Sequence, residues 1–176
     1  MHEIFLPEAK PALEWVNNRV LQKVTPRRRH ALAQGCFFAA LHAWARRHAS
    51  GMAGTEWHFQ VQPPGEIART LVPDVAYLSY ERMPRAELEN TDIASIAPDV
   101  VVEIRSSEDL QSDIDEKARV YLSAGTRVVF LVDPKKKIVT ALDRDGTTRT
   151  FRETDTVSHQ AIPGFAFPAR DLFELP

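Results

Sequence analysis

Residues 97–106 read Ala-Pro-Asp-Val-Val-Val-Glu-Ile-Arg-Ser. The β-branched run makes a strand over 99–104. Alternation puts Val100, Val102 and Ile104 on one face, and Asp99, Val101, Glu103 and Arg105 on the other. Glu103 follows three valines and precedes an isoleucine, so the strand carries a carboxylate into an apolar layer. An unpartnered charge there is costly. Glu103 is therefore either ion-paired, to Arg105 or Lys117, or bound to a cation.

Outward from this strand, period-two patterns place further strands at 55–61, 71–78, 127–133, 137–142 and near 148–151. Asp133-Pro134-Lys135-Lys136 is a turn. A helix is expected over 27–49, with Thr25 as capping hydroxyl, Pro26 at the first helical position and Gly51 as terminator. A second runs over 111–124 and stops at Gly125. Leu13 to Val24 holds two apolar clusters around Asn17-Asn18, residues that tolerate positive φ, so a hairpin is expected. The stretch containing Pro84 reads as a surface loop with a helical turn. Residues 1–10 read as an arm or a short helix. The tail with Pro163, Gly164 and Phe165 is expected to pack back on the sheet. Hairpin, helix, strands, helix, strands is the order of an α/β or α+β sandwich around a mixed sheet.

The 176 residues suit one domain over 1–176, with 44% apolar and 26% charged residues. Cys36, flanked by Phe37 and Phe38, reads as a buried core thiol, and a single cysteine makes no internal disulfide. Neither a signal peptide nor an apolar run of about 18 residues is seen, so the expectation is a cytoplasmic protein without a membrane partner. The net charge of -2 hides an asymmetry. From Trp15 to Thr55 there is no acid, while Arg19, Lys23, Arg27, Arg28, Arg29, Arg46 and Arg47 are basic. From Asp74 to Glu116 acids dominate. This suits either a protein that holds a polyanion near bound cations or one whose halves attract each other.

Two aspartates follow proline: Asp74 and Asp99. Asp99 and Glu103 lie four residues apart on one strand, a separation of roughly 13 Å, too far for both to ligate one ion. Asp74 lies on another strand and can sit beside Glu103. Alternatively it bonds local backbone at a strand start. Two carboxylates suffice for Mg²⁺, which keeps several waters. In the second helix Ile114, Ala118, Tyr121 and Leu122 form the apolar stripe, with Lys117 at its edge. From there Lys117 snorkels to water, pairs with Asp113 at i,i+4, or reaches Glu103.

Val-Pro-Asp-Val-Ala-Tyr (72–77), the block at 97–106, Asp-Ile-Asp-Glu-Lys-Ala-Arg-Val-Tyr-Leu-Ser-Ala-Gly (113–125) and Val-Phe-Leu-Val-Asp-Pro (129–134) together resemble the Uma family of restriction-endonuclease-like proteins, within the PD-(D/E)XK nuclease superfamily. Glu14 to Val20, Pro163-Gly164-Phe165 and Asp171-Leu172-Phe173 extend the resemblance over nearly the whole chain. It implies a mixed β-sheet core flanked by helices. It assigns Asp74 and Glu103 as ligands of Mg²⁺, with Mn²⁺ as substitute, and brings Glu14 to the site. The superfamily's lysine slot, two residues after the second acid, holds Arg105; in the Uma pattern the lysine lies on the following helix, at Lys117. Asn18 stands where the family has glycine. The activity implied is hydrolysis of DNA phosphodiesters. Lys117 orients water, Arg105 contacts the scissile phosphate, and Arg27, Arg28, Arg29 and His30 grip the backbone. A homodimer is expected. Arg105 in the lysine slot equally fits a catalytically inactive nuclease-fold binding or regulatory module. A third reading is a structural protein whose Glu103 and Lys117 form only a buried ion pair.

Overall fold

The structure, a computed structural model, describes residues 3–175. In chain order the elements are β1 (Leu13–Val16), β2 (Arg19–Gln22), α1 (Arg28–His48), β3 (Gly51–Thr55), β4 (Phe59–Val61), β5 (Arg69–Leu71) and β6 (Val75–Ser79). They continue with α2 (Arg85–Leu88), β7 (Val100–Ile104), α3 (Gln111–Ser123), β8 (Val128–Asp133), β9 (Ile138–Asp143), β10 (Thr148–Arg152), β11 (Thr156–Ser158), β12 (Ala166–Pro168) and a 3-10 turn at Ala169–Leu172.

Six strands form one mixed sheet in the order β10-β9-β8-β7-β6-β3. β7 and β8 are parallel and the other pairs antiparallel. Parallel neighbours need a crossover, and α3 supplies it. The alternation read from 99–104 holds. Val100, Val102 and Ile104 pack with Phe37, Leu41 and Trp44 of α1. Val101 packs on the opposite face with Ala118 and Tyr121 of α3. With both faces covered, every residue of β7 is buried. The tail closes the α1 side as expected: Phe165 and Phe167 stack around Phe37 at ring separations of 5.9 and 5.2 Å.

Asn17 and Asn18 take φ of 49° and 57°, and Val16 pairs Arg19 across them, as the hairpin reading requires. Asp133 closes its turn by accepting from the amides of Lys135 and Lys136 at 3.0 and 2.9 Å.

Several expectations are corrected. Thr25 does not cap α1. The chain stays extended through Arg27, and no side chain bonds the helix start. Gly51 does not end α1; Ala49, at φ 47°, does. Gly51 opens β3 instead, where a Cβ would collide with the Leu78 carbonyl oxygen and the Tyr77 ring. The strand read at 55–61 breaks at Glu56 (φ 49°), and β4 leaves the main sheet to pair with β5. The strand read at 71–78 divides the same way, and Asp74 falls in the break between β5 and β6. Cys36 is half-buried at the margin of the core rather than inside it. Residues 3–10 form no helix. Ile4 donates to Ala68 O at 3.1 Å and accepts from Gln60 Nε2 at 3.1 Å, tying the arm to β4 and β5. The first two residues of that arm lie outside the described residues. No helix among the described residues is long and apolar enough to cross a membrane.

Candidate active site

The face of α3 that meets the sheet keeps Ala118 and Tyr121 of the apolar stripe but is rotated toward Lys117 and away from Ile114 and Leu122. Asp113, Lys117, Ala118, Val120 and Tyr121 are buried, while Ile114 and Leu122 are only partly so. Two polar residues sit at the helix contact because other elements bring them partners. Asp113 accepts from Asn17 Nδ2 at 2.7 Å and Arg19 at 2.6 Å, which docks the β1–β2 hairpin on α3. Of the readings open for Lys117, the i,i+4 pair with Asp113 gives way to this contact and the reach to Glu103 holds. Lys117 Nζ donates instead to Glu103 Oε2 at 2.7 Å and Glu14 Oε2 at 2.9 Å.

Glu14 is inward on β1 and 1% exposed. Its second oxygen accepts from the Val72 amide at 2.8 Å. Two residues on, Asp74 turns its carboxylate toward the end of β7. Oδ2 accepts from the Ile104 amide at 2.6 Å and lies 3.3 Å from His30 Nε2. Oδ1 accepts from Lys23 Nζ at 2.7 Å. Lys23 also donates to Val72 O at 2.8 Å and pairs with Glu56 at 3.1 Å. Gln34, one turn along α1 from His30, bridges Asp74 O and Glu56 Oε1, each at 2.9 Å. The break at 72–74, created where β5 and β6 part, is thus the hub that four separate elements reach.

The cluster gathers Glu14, Asp74, Glu103 and Lys117 as the sequence implied, and adds Lys23 and His30. Asp99 lies elsewhere, bonded to the Ser79 amide at 2.7 Å and to Arg127 at 3.0 Å. Arg105 does not join either. Its guanidinium bonds Gln111 Oε1 at 2.6 Å, at the start of α3. Of the basic helix start, Arg27 pairs with Glu108, and Arg28 and Arg29 line a concavity of about 220 Å³ with Lys135 and Lys137. Lys23 was missed as a site residue because nothing local marks it. Its principal partner is 51 residues away in sequence.

Three buried carboxylates face two ammonium groups, an excess of one negative charge. The excess falls on Glu103, whose Oε1 is buried without a partner. Burial, reinforced by Asp74 and Glu14, pushes its carboxyl up to about 8 against the pull of Lys117. Burial also opposes ionisation of Asp74, but Lys23 and His30 outweigh it and hold that carboxyl well below the usual range. Burial disfavours both ammonium groups. The surrounding carboxylates, led by Asp74 at Lys23 and by Glu103 at Lys117, more than offset this and keep both protonated.

These shifts have opposite signs for stability. Folded Glu103 keeps a proton that the unfolded chain loses near its ordinary value of 4.5, so stability falls as pH rises from 4.5 to about 8. Asp74 contributes stability above its ordinary 3.8, lost as pH falls through its depressed folded value. Thermal unfolding followed from about pH 5 to pH 8 is therefore expected to show a declining Tm, and Glu103→Gln to flatten the decline. A decline that persists in Glu103→Gln would place the proton on another group.

Residues 3–170 match the family Uma2, described as "Putative restriction endonuclease", and the chain belongs to that family. Among solved structures it is similar to one from Anabaena variabilis described as "a putative nuclease belonging to DUF820". The two share 25% identity and superpose with a TM-score of 0.83 over 96% of this chain and 93% of the other. The fold is the restriction-endonuclease-like one. A comparison with curated proteins finds no match.

Proposed function

We propose that this protein is a divalent-metal-dependent nuclease that hydrolyses DNA phosphodiester bonds at the cluster of Glu14, Asp74, Glu103 and Lys117. The observation that carries this reading is Glu103. Its Oε1 is buried and unpartnered, while its Oε2 meets an ammonium that Glu14 shares. A carboxylate oxygen held this way is a ready ligand for a hard cation. Family membership and the nuclease described from Anabaena variabilis support the same activity.

The donor chemistry fits Mg²⁺, or Mn²⁺ in its place. Among the described residues no three His, Cys, Asp or Glu side chains converge as a closed metal cage would. Mg²⁺ needs only one or two carboxylates, because it retains waters. Glu103 and Asp74 would hold it. When bound, the cation supplies Lewis-acid charge against the negative charge that builds on the phosphoryl oxygens.

The chain's own groups do the rest. Lys117, fixed between two carboxylates, has an ammonium whose direction is set before substrate arrives. It orients the attacking water and offsets charge as the water oxygen bonds to phosphorus. The phosphorus–oxygen ester bond breaks; the water gives up a proton to solvent and the leaving oxygen ends protonated. Glu14 takes no part in that exchange; it anchors Lys117 on one side and the Val72 backbone on the other.

Supercoiled plasmid incubated with the purified protein is expected to be nicked or linearised in Mg²⁺ or Mn²⁺ and left intact in excess EDTA. Intact plasmid under all three conditions, from a folded protein, would overturn the reading for DNA. A parallel RNA substrate reports whether another phosphodiester is the target.

A further inference from the structure

Neither oxygen of Asp74 is free. Oδ1 holds the Lys23 ammonium at 2.7 Å, and Oδ2 holds the Ile104 amide at 2.6 Å with His30 Nε2 at 3.3 Å. Oδ1 keeps one lone pair, but a cation that takes it meets the like-charged Lys23 ammonium on the same oxygen, and one of the two must yield. The Ile104 amide is fixed by the β7 backbone, and His30 by the first turn of α1. Lys23 is on a flexible four-carbon stem just past β2. It lines an open concavity of about 460 Å³, bounded by residues 22–27 and Glu108. Its ammonium has a solvent-connected place to go.

Charge counting favours exchange over addition. Fully ionised Glu14, Asp74 and Glu103 carry three negative charges, and Lys23 and Lys117 two positive ones. Adding a divalent ion would give four positive against three negative. Exchanging it for Lys23 gives three against three. Glu56, the remaining acid at Lys23, is 44% exposed in its side chain and stays solvated in either state. Buried clusters tolerate a net charge poorly.

We propose that Lys23 is a built-in stand-in for the divalent cation: it occupies Asp74 in the metal-free protein and withdraws into the adjoining concavity when metal binds. This rests on the metal-dependent reading above. It makes Lys23 a positioning residue that sets metal affinity and keeps Asp74 in place before loading.

The test is Mn²⁺ titration of the full chain by calorimetry, for wild type, Lys23→Met and Lys23→Arg. Met fills similar volume without charge, and Lys23→Met is expected to bind Mn²⁺ about tenfold more tightly, near 1.4 kcal/mol. Lys23→Arg keeps the competing cation and is expected to bind no more tightly than wild type. Equal or weaker binding by Lys23→Met overturns the exchange and leaves the metal site standing. No Mn²⁺ binding by any of the three overturns the metal reading and this proposal together. A second measurement needs no variant. In protein labelled with ¹⁵N at lysine, the Lys23 and Lys117 ammonium signals are both expected in the metal-free state. Saturating Mg²⁺ should broaden Lys23 through exchange with water and leave Lys117 visible. A Lys23 signal that survives saturation overturns the proposal.

Discussion

Glu103→Gln is expected to lower DNA cleavage by on the order of 10³-fold or more while the protein still folds. The amide is nearly isosteric, so β7 keeps its packing between α1 and α3. Its oxygen can still accept from Lys117. What disappears is the carboxyl oxygen, buried at Oε1 without a partner, that becomes an anionic ligand when a cation replaces the Glu103 proton. A cation held by Asp74 and a neutral amide loses half its charge complement, and the developing charge on the phosphoryl group goes uncompensated. Single-turnover cleavage of plasmid at saturating Mn²⁺ measures this, with a thermal melt to show that the fold survives. Near-normal cleavage by folded Glu103→Gln would remove Glu103 from the chemistry and leave it a structural acid.

Lys117→Met is expected to damage stability as well as activity. One ammonium serves two buried carboxylates, Glu103 at 2.7 Å and Glu14 at 2.9 Å. Removing it strands both, and breaking a buried pair typically costs about 3–5 kcal/mol. For a chain of this length that corresponds to a Tm lower by roughly 6–20 °C. The sign with pH is specific. Without the ammonium, which pulls the Glu103 carboxyl down against burial, that carboxyl titrates above about 8, so the variant holds a proton there that the wild type and the unfolded chain have released. Its stability is regained as pH falls. Below about pH 8 both proteins hold the Glu103 proton, so the loss should be larger at about pH 9 than at about pH 6. An equal loss at both values would attribute the effect to packing of the α3 stem rather than to stranded charge. Cleavage should be abolished at either pH.

Much of the fold is legible locally. Strand β7, the α3 crossover, the Asn17-Asn18 turn and the Asp133 turn each follow from residue type within a few positions. β-branching, helical period and tolerance of positive φ act over that range. The errors fall where a neighbour in space overrides the local pattern. Gly51 resembles a helix terminator, yet it is required by the Leu78 carbonyl across the β3–β6 pair. The apolar stripe of α3 predicts Ile114 and Leu122 inward, but the hairpin and β7 offer polar partners that draw Asp113 and Lys117 into the contact.

The site divides the same way. A carboxylate set among valines is visible as an anomaly in the sequence itself, because the cost of burying charge depends on the apolar residues beside it. Glu103 was marked on that ground, and spacing along one strand separated Asp74 from Asp99. Lys117 and Glu14 followed from the family resemblance. Whether Glu103 meets Lys117 or Arg105, and that Lys23 and His30 close on Asp74, depends on which elements converge at the break between β5 and β6. Those partners come from β1, the segment after β2, α1 and α3. Coulombic contact over about 3 Å has no counterpart in sequence distance, so only the tertiary structure brings the internal cation to its carboxylate.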